Sequence, residues 1–304
     1  MTTRTGRALH ASQVLHCNLN VVDVARASVM YQQGLGLSVR MRSESKEGDS
    51  TAMGIDGATH SVAWFLYDHR GGHVSPAIEL VEWLTPPTAG VTYDDPTVVG
   101  MQSLMFAVPS FVASTVRLLL AGARSTMCRA RADGHVIFDS ELLDRDGVRI
   151  ELTKDPGVSA PTLTGVRLNC VALDEAVRWY GQLGWDPVGD KITATRDGVD
   201  APATIQRVAL PTHPFQLHLT QWPDTDPGAH AHQGANARGL FRMALAVDDV
   251  RAAYEESRQG GEVHIGEPTY VLLPGTPLGG LWVSFFRDPN GVTVELVERI
   301  TRAR

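Results

Sequence analysis

A chain of 304 residues with a formal net charge of -7 and no Lys/Arg run has nothing to neutralise a phosphate backbone, so nucleic acid is excluded as a partner. No stretch approaches the roughly 18 uninterrupted apolar residues of a membrane helix, and MTTRTGRALHASQVLH lacks the apolar centre of a secretory signal, so a cytoplasmic location is expected. With 43% hydrophobic residues, 29 Gly and 17 Pro, the chain has the balance of a strand-rich α+β protein with many turns and room for two domains.

The first twelve residues are polar without a clear period and are expected to be a disordered lead-in. VLHCNLNVV then alternates, with Leu15, Cys17, Leu19 and Val21 on one face and His16, Asn18 and Asn20 on the other, as in a strand with one polar face. Asp23 is placed to cap a helix whose apolar stripe is Val24, Ala27, Met30 and Tyr31, and GLGL ends it. Strands are then expected around Thr51–Ile55, Ser61–Tyr67 and Pro76–Val81, with SKEGD and DHRGGH as turns. The unit reads βαβββ.

Glu79–Val108 recurs without a gap at an offset of 139 residues, as Trp83/Trp222, Gly100/Gly239, Met105/Ala244 and Val108/Val247 show. The doubled stretch closes one module and opens the next, and it makes the chain a tandem repeat. Met101–Val108 opens a second module, which VRIEL ends. LTGVRLNCVAL with DEAVRWYGQLGW opens a third, and Leu240–Val247 opens a fourth, which RDPNGVTVELVE ends. The Pro/Gly/Ser-rich segment at 155–161 reads as a linker, so the expected domains are 13–154 and 162–304. Cys17, Cys128 and Cys170 are odd in number, lack CxxC spacing, and are expected in the core.

LHCNLNVVDVARASVMYQQGLGL, DRDGVRIELTK and FFRDPNGVTVELVE resemble the vicinal oxygen chelate superfamily, which includes glyoxalase I, extradiol dioxygenases and bleomycin-binding proteins. The resemblance implies a glyoxalase-like fold in which modules pair into cups, with metal ligands on the first and last strand of each module. By register those seats are His16, Ser103, Gly165 and Arg242 on the first strands, and Glu79, Glu151, His218 and Glu295 on the last.

Pairing modules one with two and three with four puts His16, Glu79, Ser103 and Glu151 in one cup and Gly165, His218, Arg242 and Glu295 in the other. Neither set matches the His/Glu/His/Glu pattern of the glyoxalase-type enzymes. In the second, Arg242 is expected to salt-bridge Glu295, a guanidinium standing where a metal would be. In the first, one imidazole and two carboxylates without a basic partner favour a divalent metal on His16, Glu79 and Glu151, with Fe, Mn, Co, Zn or Mg suited to that set. Ser103 would then leave positions for water or substrate oxygens, and Glu79 or Glu151 would serve as the base.

The function expected is a metalloenzyme acting on a small oxygen-rich or aromatic molecule by isomerase, lyase or dioxygenase chemistry, with His218, Arg242 and Glu295 as further substrate contacts. The alternative is a metal-free binding or resistance protein, or an isomerase or cyclase guided by cavity shape. A homodimer is left open. His230 and His232 have chelating spacing but no third ligand nearby, and Trp64, Trp83, Trp222 and Trp282 are candidate cup walls.

Overall fold

The computed structural model describes residues 7–132, 135–211, 213–223, 225–226, 234–260 and 266–299. Residues 1–6 of the expected lead-in and the His230/His232 pair lie outside them. The rest of the lead-in is not loose: Leu9 and Ala11 are buried, and the Ala11 amide donates to the Leu183 carbonyl at 2.9 Å.

Module one runs β1 (Gln13–Val21), α1 (Val24–Leu35), β2 (Ser38–Asp49), β3 (Ala58–Tyr67) and β4 (Ala77–Thr85). Asp23 accepts from the Arg26 amide, and Gly36 ends α1 at φ 72°. Thr51–Ile55 does not form the expected strand. Asp49 accepts from the Thr51 amide, Gly54 takes φ 84°, and Thr51–Met53 becomes a 3-10 turn. SKEGD, expected as a turn, is the far end of β2, an edge strand whose polar residues pair with β3.

Module two contains β5 (Gly100–Val108), α2 (Phe111–Leu120), the short strands β6 (Arg124–Ser125), β7 (Ala130–Ala132), β8 (His135–Phe138) and β9 (Ser140–Leu143), and β10 (Arg149–Lys154). Module three follows with β11 (Thr162–Asn169), α3 (Leu173–Gln182), β12 (Asp186–Pro187), β13 (Ile192–Arg196), β14 (Val199–Ala209) and β15 (Gln216–Gln221). Module four has β16 (Gly239–Val247), α4 (Val250–Gly260), β17 (Thr269–Leu273), β18 (Gly279–Arg287) and β19 (Thr293–Glu298). No described helix is long and apolar enough to cross a membrane.

The modules do not pair in chain order. β1 lies antiparallel to β16, so modules one and four share an eight-stranded sheet, and β5 lies antiparallel to β11, so modules two and three share an eleven-stranded one. The expected pairing of one with two and three with four is therefore corrected. The chain crosses between sheets in the two doubled loops, 86–99 and 222–238. These loops bond to each other: the Ala89 amide donates to Asn236 and the Arg238 amide to Ala89, at 3.0 and 2.8 Å. The short 155–161 linker instead joins β10 to β11 within one sheet.

The apolar core lies on the outer faces of both sheets. Leu19 of β1, Tyr31 of α1, Leu118 of α2, Tyr180 of α3 and Val250 of α4 all belong to one buried cluster, with Cys17 and Cys170 among its members. Each large side chain so buried contributes on the order of 1.5–3 kcal/mol. Helix α1 packs on α2 at Gly34, where a Cβ would stand 2.6 Å from Leu118 Cδ2. Packing the outer faces leaves the polar alternate residues of β1, β5, β11 and β16 to line the inner, concave faces.

Candidate functional site

One concave face is open and the other is filled. The cup of modules one and four holds a cavity of about 520 Å³, within the range of small-molecule sites. In the cup of modules two and three the corresponding space is about 20 Å³, room for about one water. It is roofed because β7 crosses over to pair with β13, so strands of modules two and three meet above it.

The ionic floor of the open cup is assembled across the seam between modules. Glu79 of β4 and Glu295 of β19 are joined by Arg242 of β16, whose Nη2 donates to Glu79 Oε2 at 2.9 Å and whose Nε donates to Glu295 Oε2 at 2.7 Å. His16 Nε2 faces the same two oxygens at 3.2 and 3.4 Å, yet makes no hydrogen bond. Burial pushes the Glu295 carboxyl up, but Arg242 and His16 beside it hold it down at about 2. Burial also works against the Arg242 charge, and Glu79 with Glu295 outweighs it, raising the guanidinium further above its ordinary value. The expected Arg242–Glu295 salt bridge is present, in company with His16 rather than His218.

The filled cup has its own arginine, on the opposite strand of the seam. Arg167 of β11 grips Glu151 with two bonds, Nε to Oε1 and Nη2 to Oε2, both 2.7 Å, while Ser103 Oγ donates to Glu151 Oε1 at 2.6 Å. His218 is enclosed beside them. Desolvation, with Arg167 and Arg207 nearby, drives its pKa well below the ordinary histidine value. Arg167 lies across the seam from Ser103 as Asn18 lies across from Arg242, so each cup carries one guanidinium at that junction.

The set His16, Glu79 and Glu151 is thus not brought together. Glu151 and Ser103 lie in the filled cup with His218, and Glu295 takes the place expected of Glu151. Gly165 holds no ligand seat: a Cβ there would run into the Gln216 carbonyl of β15. Reading the seats alone missed Arg167, whose signal was a charged residue two positions past Gly165 on the same strand face. Trp83 and Trp222 line the open and filled cups, each donating its indole N–H to an asparagine, Asn20 and Asn169. Trp64 and Trp282 carry the guanidiniums of Arg42 and Arg251, each 4.0 Å from a ring centroid.

Residues 162–296 match the model of the Glyoxalase/Bleomycin resistance protein/Dioxygenase superfamily. Glyoxalase I from Zea mays aligns at 18% identity over 94% of this chain and 92% of that chain, with a TM-score of 0.67. A putative dioxygenase from Bacillus subtilis aligns at 16% identity over 96% and 86%, with a TM-score of 0.60. A search of curated protein sequences returned no match. Modules three and four thus match that superfamily's model, and the whole chain shares the fold of these solved structures. The resemblance implies a divalent metal, but the residues here do not fit one. Among the described residues no group of three or more His, Cys, Asp and Glu is arranged to hold an ion. In the open cup the carboxylate oxygens nearest His16 are those Arg242 already holds. A fixed positive charge in direct contact with both would repel a dication.

Proposed function

We propose that the cup of modules one and four is a metal-free acid–base site for a small, largely apolar organic molecule bearing adjacent oxygen functions. The observation that carries this reading is the bridge of Arg242 between Glu79 and Glu295 at the floor of an open cavity, with the His16 Nε2 edge left unbonded beside it. Among the carboxylates and the guanidinium of the floor, two negative groups face one positive one, an excess of one negative charge. That excess is a place for a proton taken from substrate.

In this reading Glu79 removes a proton from a carbon next to a carbonyl, and the guanidinium of Arg242 donates to the oxygen on which charge collects. His16, facing both carboxylates, relays the proton so that it can return at a neighbouring atom. Glu295, held ionised by Arg242, keeps the guanidinium oriented. The reaction class is an isomerisation or cyclisation by proton transfer. Phe65 and Trp83 supply an apolar wall that keeps water from competing.

Benzoin, an aromatic α-hydroxyketone, is a suitable probe. Solvent deuterium should enter its α-carbon faster with protein than in buffer, equally with and without chelator, and Glu79→Gln should slow that exchange about 100-fold or more. Elemental analysis of protein supplemented with Zn²⁺, Mn²⁺ or Co²⁺ should find no stoichiometric ion. One ion per chain, or exchange that chelator abolishes, would overturn the metal-free reading. Benzoin binding without exchange would leave a binding protein in its place.

A further inference from the structure

The two walls of the open cup descend from equivalent parts of modules one and four, and they differ in chemistry. On the module-one wall three cross-strand rows climb from the floor: Met41, Phe65 and Glu79; then Ser43, Ala63 and Val81; then Ser45, Ser61 and Trp83. The alternate residues Arg42, Glu44, Val62 and Trp64 face a separate surface cleft that Ser43 also borders, while all three serines line the cup and Ser45 and Ser61 line it alone. Their hydroxyls make no hydrogen bond to any described residue, although Ser43 is buried and Ser45 and Ser61 are half-buried.

The module-four wall repeats the rows with Phe285 beside Glu295, Val283 beside Val297 with Thr269, and Leu281 beside Val271. Where the first wall has Ser61 and Ser45, the second has Leu281 and Val271. Hydroxyls opening onto a cavity opposite an apolar wall suit a ligand with one polar edge and one apolar face.

We infer that Ser43, Ser45 and Ser61 form a specificity-determining ladder for the far oxygenated edge of a flat, fused-ring substrate whose near oxygens lie on Arg242. This rests on the proposed function for the floor. Ser61 stands four residues along β3 from Phe65, the rung of Glu79, which at about 3.3 Å per residue is about 13 Å. Allowing a hydrogen bond of about 2.8 Å at each end, the ligand spans roughly 7–8 Å between its two oxygen-bearing edges. A fused three-ring system has that reach. Its apolar face lies on Leu281 and Val283, and the indole of Trp83, fixed by Asn20, flanks its outer end.

Two dyes separate the ladder from the floor. Alizarin carries vicinal hydroxyls at one end of an anthraquinone, and quinalizarin has the same end plus two hydroxyls on the distal ring. With chelator present, Trp fluorescence quenching should show quinalizarin binding about tenfold more tightly than alizarin, as one to two added hydrogen bonds predict. Ser45→Ala combined with Ser61→Ala should remove that preference while leaving alizarin affinity within about twofold. A wild type without preference, or a double variant that retains it, overturns the ladder while alizarin binding leaves the floor intact. If neither dye binds and Arg242→Gln changes nothing, the floor reading falls as well.

Discussion

Arg242 decides what the open cup can be. Its guanidinium bonds two buried carboxylates that the fold forces together, at 2.7 and 2.9 Å. Removing it by Arg242→Met would strand both charges, a loss on the order of 3–5 kcal/mol at neutral pH. A more informative change is Arg242→His, which places a second imidazole opposite His16 and completes a His/Glu/His/Glu set on strands already in register. The expected outcome is that this variant takes up one divalent ion per chain and its thermal midpoint rises on adding Zn²⁺, whereas the wild type shows neither. Elemental analysis with a thermal scan checks it, and a variant that stays metal-free would mean that Arg242 is not what keeps a cation out. The buried amide of Asn18, across the seam from Arg242 with neither polar atom bonded, has no explanation in the structure.

Strands at the seam carry the site, and their tolerance is set by backbone approach. At Gly165 the β15 backbone comes close enough that a side chain collides with the Gln216 carbonyl, so Gly165→Ala should cost on the order of 1–3 kcal/mol, read as a lower urea midpoint. An unchanged midpoint would show that β11 and β15 can part there. Much at this scale was legible in the sequence. The alternation in VLHCNLNVV placed His16 inward, Asp23 capped α1 as its position suggested, and the polar register residues of β16 and β19 met as Arg242 and Glu295. What was not legible was β2. Its Ser, Arg, Glu and Lys residues look like a turn because an edge strand lining a wet cavity needs no apolar face. Pairing was also hidden. First strands of similar sequence can join either neighbour, and the choice rests on contacts such as Asn18 with Arg242, more than two hundred residues apart. The lengths of the connections held the missing signal, since seven residues join β10 to β11 within one sheet while both longer loops cross between sheets.

Across the molecule stability answers to pH through opposed buried groups. Asp144 and Asp288 sit in equivalent turns, accept from Tyr31 and Tyr180, and are pushed by burial up to about 6. A carboxyl raised from 3.8 binds its proton more readily when folded, so each makes stability fall as pH rises from about 4 to 6. His213, lowered by burial and Arg70 to about 4, and His218, lowered well below the usual value, bind protons less readily when folded. Their contribution therefore rises with pH over the window between about 4 and 6.5, and the two trends offset each other. Glu295 acts lower down: its value falls from 4.5 to about 2, so its stabilisation is complete above 4.5 and is lost as pH drops toward 2. The expected urea midpoint is nearly flat from pH 4.5 to 6.5 and falls steeply below 4. Neutralising the turns with Asp144→Asn and Asp288→Asn together leaves the histidines unopposed, so that variant's midpoint should climb with pH across the same window. A wild type that already climbs there would mean the two aspartates are ionised in the folded chain and do not oppose the histidines.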